Sequence, residues 1–416
     1  MLNTQKLDRQ KLDMQKLIVQ KYGGATLATP EKIKSVALKI SELKKSGHAV
    51  VVVVSAMGQT TNQLIELSQQ VSKNPTLREM DMLISVGERI SMSLLSMALN
   101  DLGCEAISFT GSQAGIITDD DHISANIIDV TPIRVQQALE KNKVVVLAGF
   151  QGVSQKTKEI TTLGRGGSDI TAVAMAFALK ATRCEILKDV DSIFTADPNS
   201  IKAAKPIRHL NADQLYEMTY WGAKVLNYKS AEKFHSQIDA TNSMTQKPEL
   251  YIGPAHNTAH SGTVVHDAFD DSKYSFFDVG TNSNILSINT ISECWLVERN
   301  EFDRKLKDSQ QMQSTSSKTL PFNAIQVLKN IVGFAWITGP QEILNQLRTN
   351  IEIKENLAAV TVTVIEKSVL QEIKLELQNQ LIDIKHLFES EYSLHLFCSA
   401  ENRKIYLENI HSKYFK

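Results

Sequence analysis

The strongest constraint on the fold is an unbroken apolar run at residues 49–54, whose sequence is AVVVVV. Such a run predicts a strand buried on both faces, because a strand with one face in water alternates apolar and polar residues. The segments KVVVLAG at 143–149 and CEIL at 184–187 repeat the strand signal, and a helical stretch over 30–45 precedes the first run. Strands that alternate with helices indicate an α/β fold with a doubly wound sheet. Ligands of such sheets bind beyond the carboxyl ends of the strands.

Composition narrows the classes of partner. The chain has 416 residues, of which 42% are hydrophobic and 22% charged, so it has enough core for two or three domains. Its 45 basic and 46 acidic residues leave a net charge of −1, which favours small polar ligands over nucleic acid or a membrane surface. The four cysteines form no metal-binding spacing and are typical of buried thiols in a reducing compartment. No apolar stretch approaches about 18 residues, so we expect a cytoplasmic protein.

Glycine usage predicts a domain boundary. Sixteen of the nineteen glycines precede residue 266, and the boundary falls near 265–275. We predict a flexible leader at 1–16, which holds a five-residue near-repeat, then a catalytic domain at 17–268 and a second region at 275–416. In the second region the patterns predict strands, helices and a polar mobile loop that fit small βαββαβ units: strands at 284–289, 358–365 and 392–398, helices at 302–307 and 369–380, and the loop at 309–318.

The segment 161–172, TTLGRGGSDITA, packs three glycines with Arg165, Ser168 and Asp169. Glycines let backbone N–H groups approach anionic oxygens, and the apolar run at 172–179 predicts a helix whose N-terminus favours negative charge. An ordinary glycine-rich turn between a strand and a helix is the alternative. The charged and hydroxyl residues in the same turn favour a phosphate-handling site.

A second glycine pair follows the first predicted strand. In the sequence KYGGAT, Gly23 and Gly24 expose backbone donors, and Lys21 supplies a point charge for a phosphoryl group. In isolation, a surface lysine beside a turn has the same sequence. This motif therefore indicates a phosphate-binding site only in combination with the other motifs.

Two polar segments follow apolar ones. Ser55 and Thr61 lie in a hydroxyl-rich loop before a helix predicted to start near Asn62, and capping of that helix is the simplest role for the hydroxyls. Glu88 lies beside a glycine in an otherwise apolar helical region, where a lone glutamate is usually solvated. A role in binding is the alternative for both segments.

The order of the motifs along the chain, KxGG, SAMGxTTN, GE, TGxQAGIIT, AGFQG, TTLGRGGSD, DVDxxxTADP and GAKVL, resembles aspartate kinase over roughly residues 17–265. The resemblance implies an amino-acid-kinase fold, a three-layer α/β/α sandwich around a mainly parallel sheet. It implies transfer of the ATP γ-phosphoryl group, with Mg²⁺, to the side-chain carboxylate of L-aspartate. The product, 4-phospho-L-aspartate, leads toward lysine, threonine, methionine and isoleucine.

The resemblance also implies roles for individual residues. Lys21 would stabilise the transferring phosphoryl group, Lys224 would act on the nucleotide side, and Asp169 would orient both lysines. Arg165 would bind the substrate α-carboxylate, for which a planar bidentate donor is suited. The remaining implied contacts divide between substrate, at Ser55, Thr61, Glu88 and Ser168, and nucleotide, at Gly23, Gly24, Lys188, Asp189, Phe194 and Asn199. None is assigned as a ligand of a protein-bound metal.

Departures from the family pattern are most numerous on the nucleotide side. Lys188 stands where the family has threonine, Phe194 where it has tyrosine, and Asn199 where it has arginine. Ser192 replaces a glycine, and the usual HPR that follows Lys224-Val225-Leu226 becomes NYK at 227–229. Loss of a phosphate-binding arginine predicts weaker ATP binding, unless Lys188 or Lys229 substitutes.

The region 275–416 resembles the paired ACT domains of such kinases in length and rhythm. The Pro-Gly turn expected before the first ACT helix is absent, and Gly339-Pro340 has the reverse order. We expect a degenerate pair that supports a homodimer or higher homo-oligomer, with weakened or altered feedback. The alternative to an active kinase is a catalytically weak homologue that serves as a regulatory or amino-acid-binding subunit. A kinase for another carboxylate is disfavoured because the aspartate-reading set is complete.

Overall fold

The structure is a computed structural model that describes residues 16–223, 225–240, 247–255, 261–267, 285–298, 326–331, 334–338, 353–364, 367–381, 384–390 and 392–415. These residues group into two compact units. The first unit holds those within 16–193, 209–212 and 226–267. The second unit holds those within 194–208, 213–225 and 285–415. The predicted domain limits at 16, 268 and 275 stay predictions.

The described helices are numbered here along the chain, and a short 3-10 helix at Gly24–Leu27 precedes the first. They are α1 (Pro30–Lys45), α2 (Thr60–Val71), α3 (Leu77–Ile84), α4 (Val86–Asp101), α5 (Ile133–Glu140), α6 (Gly167–Ala178), α7 (Ala212–Tyr220), α8 (Tyr228–Ala240), α9 (Leu370–Gln380) and α10 (Ala400–Tyr414).

Fourteen of the described strands precede residue 267. They are β1 (Leu17–Tyr22), β2 (Ala49–Val54), β3 (Ala106–Phe109), β4 (Ile116–Thr118), β5 (Ile127–Val130), β6 (Val144–Ala148), β7 (Gln151–Ser154), β8 (Ile160–Thr162), β9 (Arg183–Lys188), β10 (Ile193–Phe194), β11 (Pro206–Ile207), β12 (His209–Asn211), β13 (Glu249–Pro254) and β14 (Thr263–His266). The later strands are β15 (Ile285–Glu298), β16 (Gln326–Ile331), β17 (Phe334–Thr338), β18 (Ile353–Val364), β19 (His386–Glu389) and β20 (Ser393–Cys398).

The first unit is built on an eight-stranded sheet of order β12-β14-β13-β9-β1-β2-β6-β3. All neighbouring strands in it are parallel except β13 and β14. Helices cover both faces of β2. Val50, Val52 and Val54 lie in one core with residues of α1 and α4, whereas Val51 and Val53 alternate to the face on which α6 packs. The predicted doubly wound α/β fold is confirmed.

A four-stranded sheet of order β5-β4-β7-β8 completes the first unit. Its last strand, β8, leads directly into the glycine-rich turn and α6. The strand therefore fixes the start of that turn.

Several predicted elements keep their limits and others shift. The helix at 30–45 and the strand at 49–54 are confirmed. Helix α6 begins at Gly167 rather than at 172, because Gly166 adopts φ +76° as N-cap and the polar residues Ser168 and Asp169 form the first turn. Helix α2 begins at Thr60, two residues before the predicted start.

The second unit holds a six-stranded antiparallel sheet of order β16-β17-β15-β18-β20-β19. The two longest strands, β15 with 14 residues and β18 with 12, lie at its centre, and two further strands lie on each side of them. On one side, β18 is followed along the chain by α9, the hairpin of β19 and β20, and α10. Each half has the strand order of a βαββαβ unit, with β15 and β18 shared between the halves.

Strands β15 and β18 are longer than predicted because each pairs along both of its edges. Strand β15 pairs with β17 and β18, and β18 pairs with β15 and β20. Strand β15 extends to Glu298 instead of 289, and β18 begins at Ile353 instead of 358. The helix at 369–380 and the strand at 392–398 are confirmed within one residue. The predicted helix at 302–307, the loop at 309–318 and the Gly339-Pro340 pair lie outside the described residues.

Helices α3 and α4 together make one segment, Leu77–Asp101, whose length and composition alone would suit a membrane span. Half of its most apolar window is buried inside the fold, and Asp81 and Glu88 are buried within it. Met92, Leu95 and Leu99 of α4 pack against the parallel sheet. We interpret the segment as core helices. The four cysteines are free and buried, as their sequence pattern predicts.

Candidate active site

Three charged residues meet where β1 and β9 end and α6 begins. Lys21 Nζ lies 2.6 Å from Asp169 Oδ1, and Lys188 Nζ lies 3.2 Å from Asp169 Oδ2. Lys21 and Asp169 are only 6% and 4% exposed, so Lys21 is not a surface lysine beside a turn. The structure thus brings together Lys21 and Asp169 as predicted, and it adds Lys188 to the same carboxylate.

Burial and neighbouring charges shift the pKa of Asp169 and of Lys188. Burial opposes ionisation of Asp169, but the charges and hydrogen bonds of Lys21 and Lys188 outweigh this effect and hold the pKa of the carboxyl below its ordinary value. Burial lowers the pKa of Lys188, and the nearby Lys21 lowers it further, against the opposing charge of Asp169. Asp169 is therefore a fixed anion between two cations.

Glu88 is buried in the first turn of α4 and is not solvated. Its Oε1 accepts the Ala56 backbone N–H at 3.0 Å, while Oε2 has no hydrogen-bond partner among the described residues. Burial raises the pKa of Glu88 to about 7, against the Ala56 hydrogen bond and the charge of Lys21. A buried acceptor without a partner marks a position where a ligand donor fits.

The first glycine pair is held against the loop that follows β2. A side chain on Gly24 would bring its Cβ within 2.7 Å of the Ala56 carbonyl oxygen, so this position requires glycine. A Cβ on Gly23 would meet only Lys21 Nζ and the Leu187 carbonyl, both at 3.8 Å. The Thr26 hydroxyl donates to the Gly23 carbonyl at 2.6 Å and closes the turn beside Ala25. The open space beside Gly23 faces the Lys21 ammonium.

The hydroxyl-rich loop does not cap helix α2, so the capping interpretation is wrong. The N-cap residue is Gln59, whose side chain makes no capping hydrogen bond, and the Thr60 hydroxyl donates to the Met57 carbonyl instead. Ser55 and Thr61 are both half-buried. Their hydroxyls are thus not used to start the helix.

In the glycine-rich turn, Gly164 and Gly166 both have positive φ, +72° and +76°. A side chain on Gly166 would place its Cβ 2.3 Å from Asn227 Cβ. Arg165, between these glycines, is exposed, whereas Ser168 is buried beside Gly149. The turn therefore presents the guanidinium outward and buries the serine and aspartate.

The sequence interpretation missed Asp81, which supports this turn from behind. This carboxylate is fully buried and accepts hydrogen bonds from the Thr162 hydroxyl at 2.5 Å and the Ile123 backbone N–H. His122 Nδ1 lies 2.6 Å from the same carboxylate. Gly164 packs on the Ile123 carbonyl, so Asp81 joins α3, β8 and the 119–125 segment around the turn. No motif marks it, since its partners are distant in sequence.

The residues predicted to bind the nucleotide do not all belong to one unit. Asp189 is exposed just beyond Lys188 at the end of β9. Phe194 and Asn199 belong to the second unit, where the Asn199 backbone N–H is bound by the Asp197 carboxylate at 2.9 Å. Lys224 lies outside the described residues. The described residues contain no group of three or more His, Cys, Asp or Glu side chains placed to hold a metal ion.

The same part of the chain matches a known family. The model of the Amino acid kinase family matches residues 16–244, which is more than half of the chain. The chain belongs to the amino acid kinase family. Its mainly parallel sheet with helices on both faces is the fold that the resemblance implied.

Two curated relatives share about half of their aligned residues with this chain. An aspartokinase of Mycolicibacterium smegmatis is 50% identical over 254 residues, 60% of this chain and 57% of the relative. An aspartokinase of Mycobacterium bovis is 56% identical over 235 residues, 56% of either chain. The chain thus spans a little over half the length of these curated relatives.

The fold extends further than the sequence likeness. A structure of Escherichia coli aspartokinase III in complex with aspartate and ADP aligns with 96% of this chain and 100% of its own, with a TM-score of 0.71 at 20% identity. At this identity the alignment shows the fold alone.

Proposed function

We propose that this chain is an aspartate kinase, which transfers the γ-phosphoryl group of ATP to the side-chain carboxylate of L-aspartate. The observation that carries the proposal is the buried Asp169 carboxylate bound by two ammonium groups at the carboxyl ends of β1 and β9. The high identity of this region to two aspartokinases supports the choice of acceptor.

The reaction brings a carboxylate toward an anionic phosphate, so its main cost is charge repulsion. Lys21 would offset the charge on the transferring phosphoryl group, and Asp169 would fix the direction of that ammonium. Each Asp169 oxygen faces a lysine ammonium, and the described residues hold no cluster of three or more His, Cys, Asp or Glu side chains for a metal ion. Mg²⁺ commonly binds through nucleotide phosphates and water, and we expect it to arrive with ATP.

Substrate binding would use the partner-free oxygen of Glu88. Its Oε2 accepts no hydrogen bond among the described residues, and the α-ammonium of aspartate is a donor of suitable charge. The exposed Arg165 guanidinium would bind the α-carboxylate as a bidentate donor. Ser55, Thr61 and Ser168 would supply hydroxyls around the carboxylate that is phosphorylated.

Nucleotide binding would involve the glycine pair with Lys188 and Asp189, and Phe194, Asn199 and Lys224 by family resemblance. Escherichia coli aspartokinase III, which shares the fold, binds aspartate and ADP. Since Asn199 replaces an arginine, we expect weaker ATP binding in this chain than in the family pattern unless Lys188 or Lys229 supplies the lost contact.

The remaining proposals concern context. We propose a cytoplasmic enzyme, supported by four buried free thiols, that opens the route toward lysine, threonine, methionine and isoleucine. The shared-strand sheet of the second unit supports an ACT-like role in a homodimer or higher homo-oligomer. We expect its feedback response to lysine or threonine to be weak.

The test is to incubate the purified chain with ATP, Mg²⁺ and L-aspartate, trapping the acyl phosphate with hydroxylamine. Formation of aspartyl hydroxamate, abolished in Lys21→Ala, supports the proposal. Aspartate binding without product at saturating ATP overturns it and supports the regulatory-subunit alternative. Repeating the assay with L-glutamate and with added lysine or threonine tests the acceptor and the feedback separately.

A further inference from the structure

Strand geometry places Lys188 on the same face of the sheet as Lys21. In the register of β1 and β9, Lys21 lies beside Ile186. Side chains alternate along a strand, so Lys188, two residues beyond Ile186, projects to the face that Ile186 and Lys21 share. The first turn of α6 presents Asp169 on that face. Two neighbouring strand ends therefore deliver two ammonium groups to one carboxylate.

The trio contains more positive than negative charge. Lys21 and Lys188 bind opposite oxygens of Asp169, and the Lys188 side chain is 21% exposed against 5% for Asp169. The charged groups that act on Lys188 include Lys21, Asp169 and the exposed Asp189. Two cations held close together and mostly screened from water form a favourable site for a polyanion, and a polyphosphate is one.

By the resemblance, the charge at this position distinguishes this chain from the family pattern. The family pattern that the sequence resembles has a neutral threonine where Lys188 stands and an arginine where Asn199 stands. A cation is thus absent from one nucleotide-side position and present at another. The new cation lies beside the lysine assigned to the transferring phosphoryl group.

We propose that Lys188 is a further catalytic lysine that binds the β- and γ-phosphates of the nucleotide, while Asp169 holds its ammonium beside that of Lys21. In the transfer, the bond from the γ-phosphorus to the β–γ bridging oxygen breaks as the acceptor carboxylate oxygen bonds to the phosphorus. Lys188 stays protonated and offsets the charge that develops on the departing β-phosphate. The inference rests on the proposed function because it takes ATP as the nucleotide, but it does not depend on aspartate being the acceptor.

The test compares Lys188→Thr, which restores the family residue, with Lys188→Arg and with Lys34→Thr, an exposed lysine of α1. Calorimetric titration with Mg·ATP, Mg·ADP and AMP, without aspartate, reports where on the nucleotide the contact falls. We expect about 10- to 100-fold weaker binding of ATP and ADP to Lys188→Thr, as for loss of a charge-assisted hydrogen bond. AMP affinity should not change, Lys188→Arg should retain most ATP affinity, and Lys34→Thr should match the unaltered chain.

Dependence on pH gives a second readout. Burial lowers the pKa of Lys188, so its charge is lost at lower pH than that of an ordinary lysine. ATP affinity of the unaltered chain should therefore fall as the pH rises toward the ordinary lysine range, and Lys188→Arg should lack that fall.

Unchanged ATP affinity in Lys188→Thr overturns the inference, as does an equal loss for AMP. If Lys188→Thr fails to fold, as judged by circular dichroism, Lys188→Gln is titrated against the same criteria. A chain that binds ATP through Lys188 but phosphorylates an acceptor other than aspartate supports this inference while it overturns the proposed substrate.

Discussion

Two buried glutamates, one in each unit, have opposite surroundings. Glu88 of the first unit has one oxygen bound to the Ala56 N–H and one oxygen without a partner among the described residues. Glu217 of the second unit accepts the Ser390 hydroxyl at 2.8 Å and the Tyr392 backbone N–H at 3.1 and 3.2 Å. Burial raises the pKa of Glu88 to about 7. Glu88 thus has one acceptor oxygen without a partner among the described residues, whereas both oxygens of Glu217 accept hydrogen bonds.

The polar groups around Glu217 extend this difference. His395 stacks on Trp221 with ring centroids 3.6 Å apart, and its two ring nitrogens lie 3.1 Å from the Thr361 hydroxyl and 2.9 Å from the Ser390 hydroxyl. These groups satisfy one another inside the second unit. The contrast indicates that Glu88 keeps one acceptor oxygen for a ligand, whereas both oxygens of Glu217 bind donors of its own unit.

The largest expected effect lies in the first unit, at Asp169. Replacing it by Asn removes the one negative charge between Lys21 and Lys188 and leaves the two ammonium groups without a fixed direction. We expect kcat/KM for aspartyl hydroxamate formation to fall about 10³-fold, the order seen when a preorganised charge contact is lost. Circular dichroism checks folding. A variant that retains a tenth of the activity contradicts the assigned role.

The same Glu→Gln change should alter the free energy of unfolding in opposite directions in the two units. Glu88→Gln should raise it. Because the folded pKa of Glu88 is raised from 4.5 to about 7, the folded state keeps a proton that the unfolded chain releases in this window. Stability of the unaltered chain therefore falls as pH rises from 4.5 to 7, and the penalty is complete above it.

Glutamine does not ionise, so at pH 8 Glu88→Gln should increase the free energy of unfolding by up to about 3 kcal/mol. Urea unfolding at pH 5 to 8 measures this gain, with the exposed Glu66→Gln as control. The variant should also lose aspartate affinity, since a neutral amide binds an ammonium weakly. A destabilised Glu88→Gln would mean that the carboxylate is used for structure.

In the second unit, Glu217→Gln should destabilise. The amide NH₂ would face donors that now bind a carboxylate, at a cost of about 1–3 kcal/mol in the free energy of unfolding. Urea unfolding at one neutral pH measures it. A stability gain comparable with that of Glu88→Gln would contradict the contrast between the two glutamates.

The smallest effect concerns Ser390→Ala, which removes one donor to Glu217 and the hydroxyl partner of His395. We expect a loss of about 1 kcal/mol. In a double-mutant cycle with Glu217→Gln the two losses should not add, because both residues share one hydrogen bond. Strict additivity would show that this bond contributes little.

Local patterns predicted the parts of the fold that depend on burial alone. The run at 49–54 gave its own strand because six apolar residues have no solvent-facing position, and the helix at 30–45 has proline at its first residue and lysines at its last turn. The capping role for the hydroxyl loop was wrong because the helix starts at Thr60 and its N-cap is Gln59. Start positions depend on turn conformation, which polar residues alone do not specify.

By itself, the sequence determined the parallel sheet, the glycine turns and, through the order of its motifs, the likeness to aspartate kinase. Only the tertiary structure decided that Lys188 shares Asp169 with Lys21, and that Asp81 reaches His122 and Thr162. Those contacts join residues 19 to 148 positions apart, and they depend on strand register and on the face to which each side chain alternates. Periodicity reports which residues are buried, whereas only the assembled sheet specifies which buried charges meet.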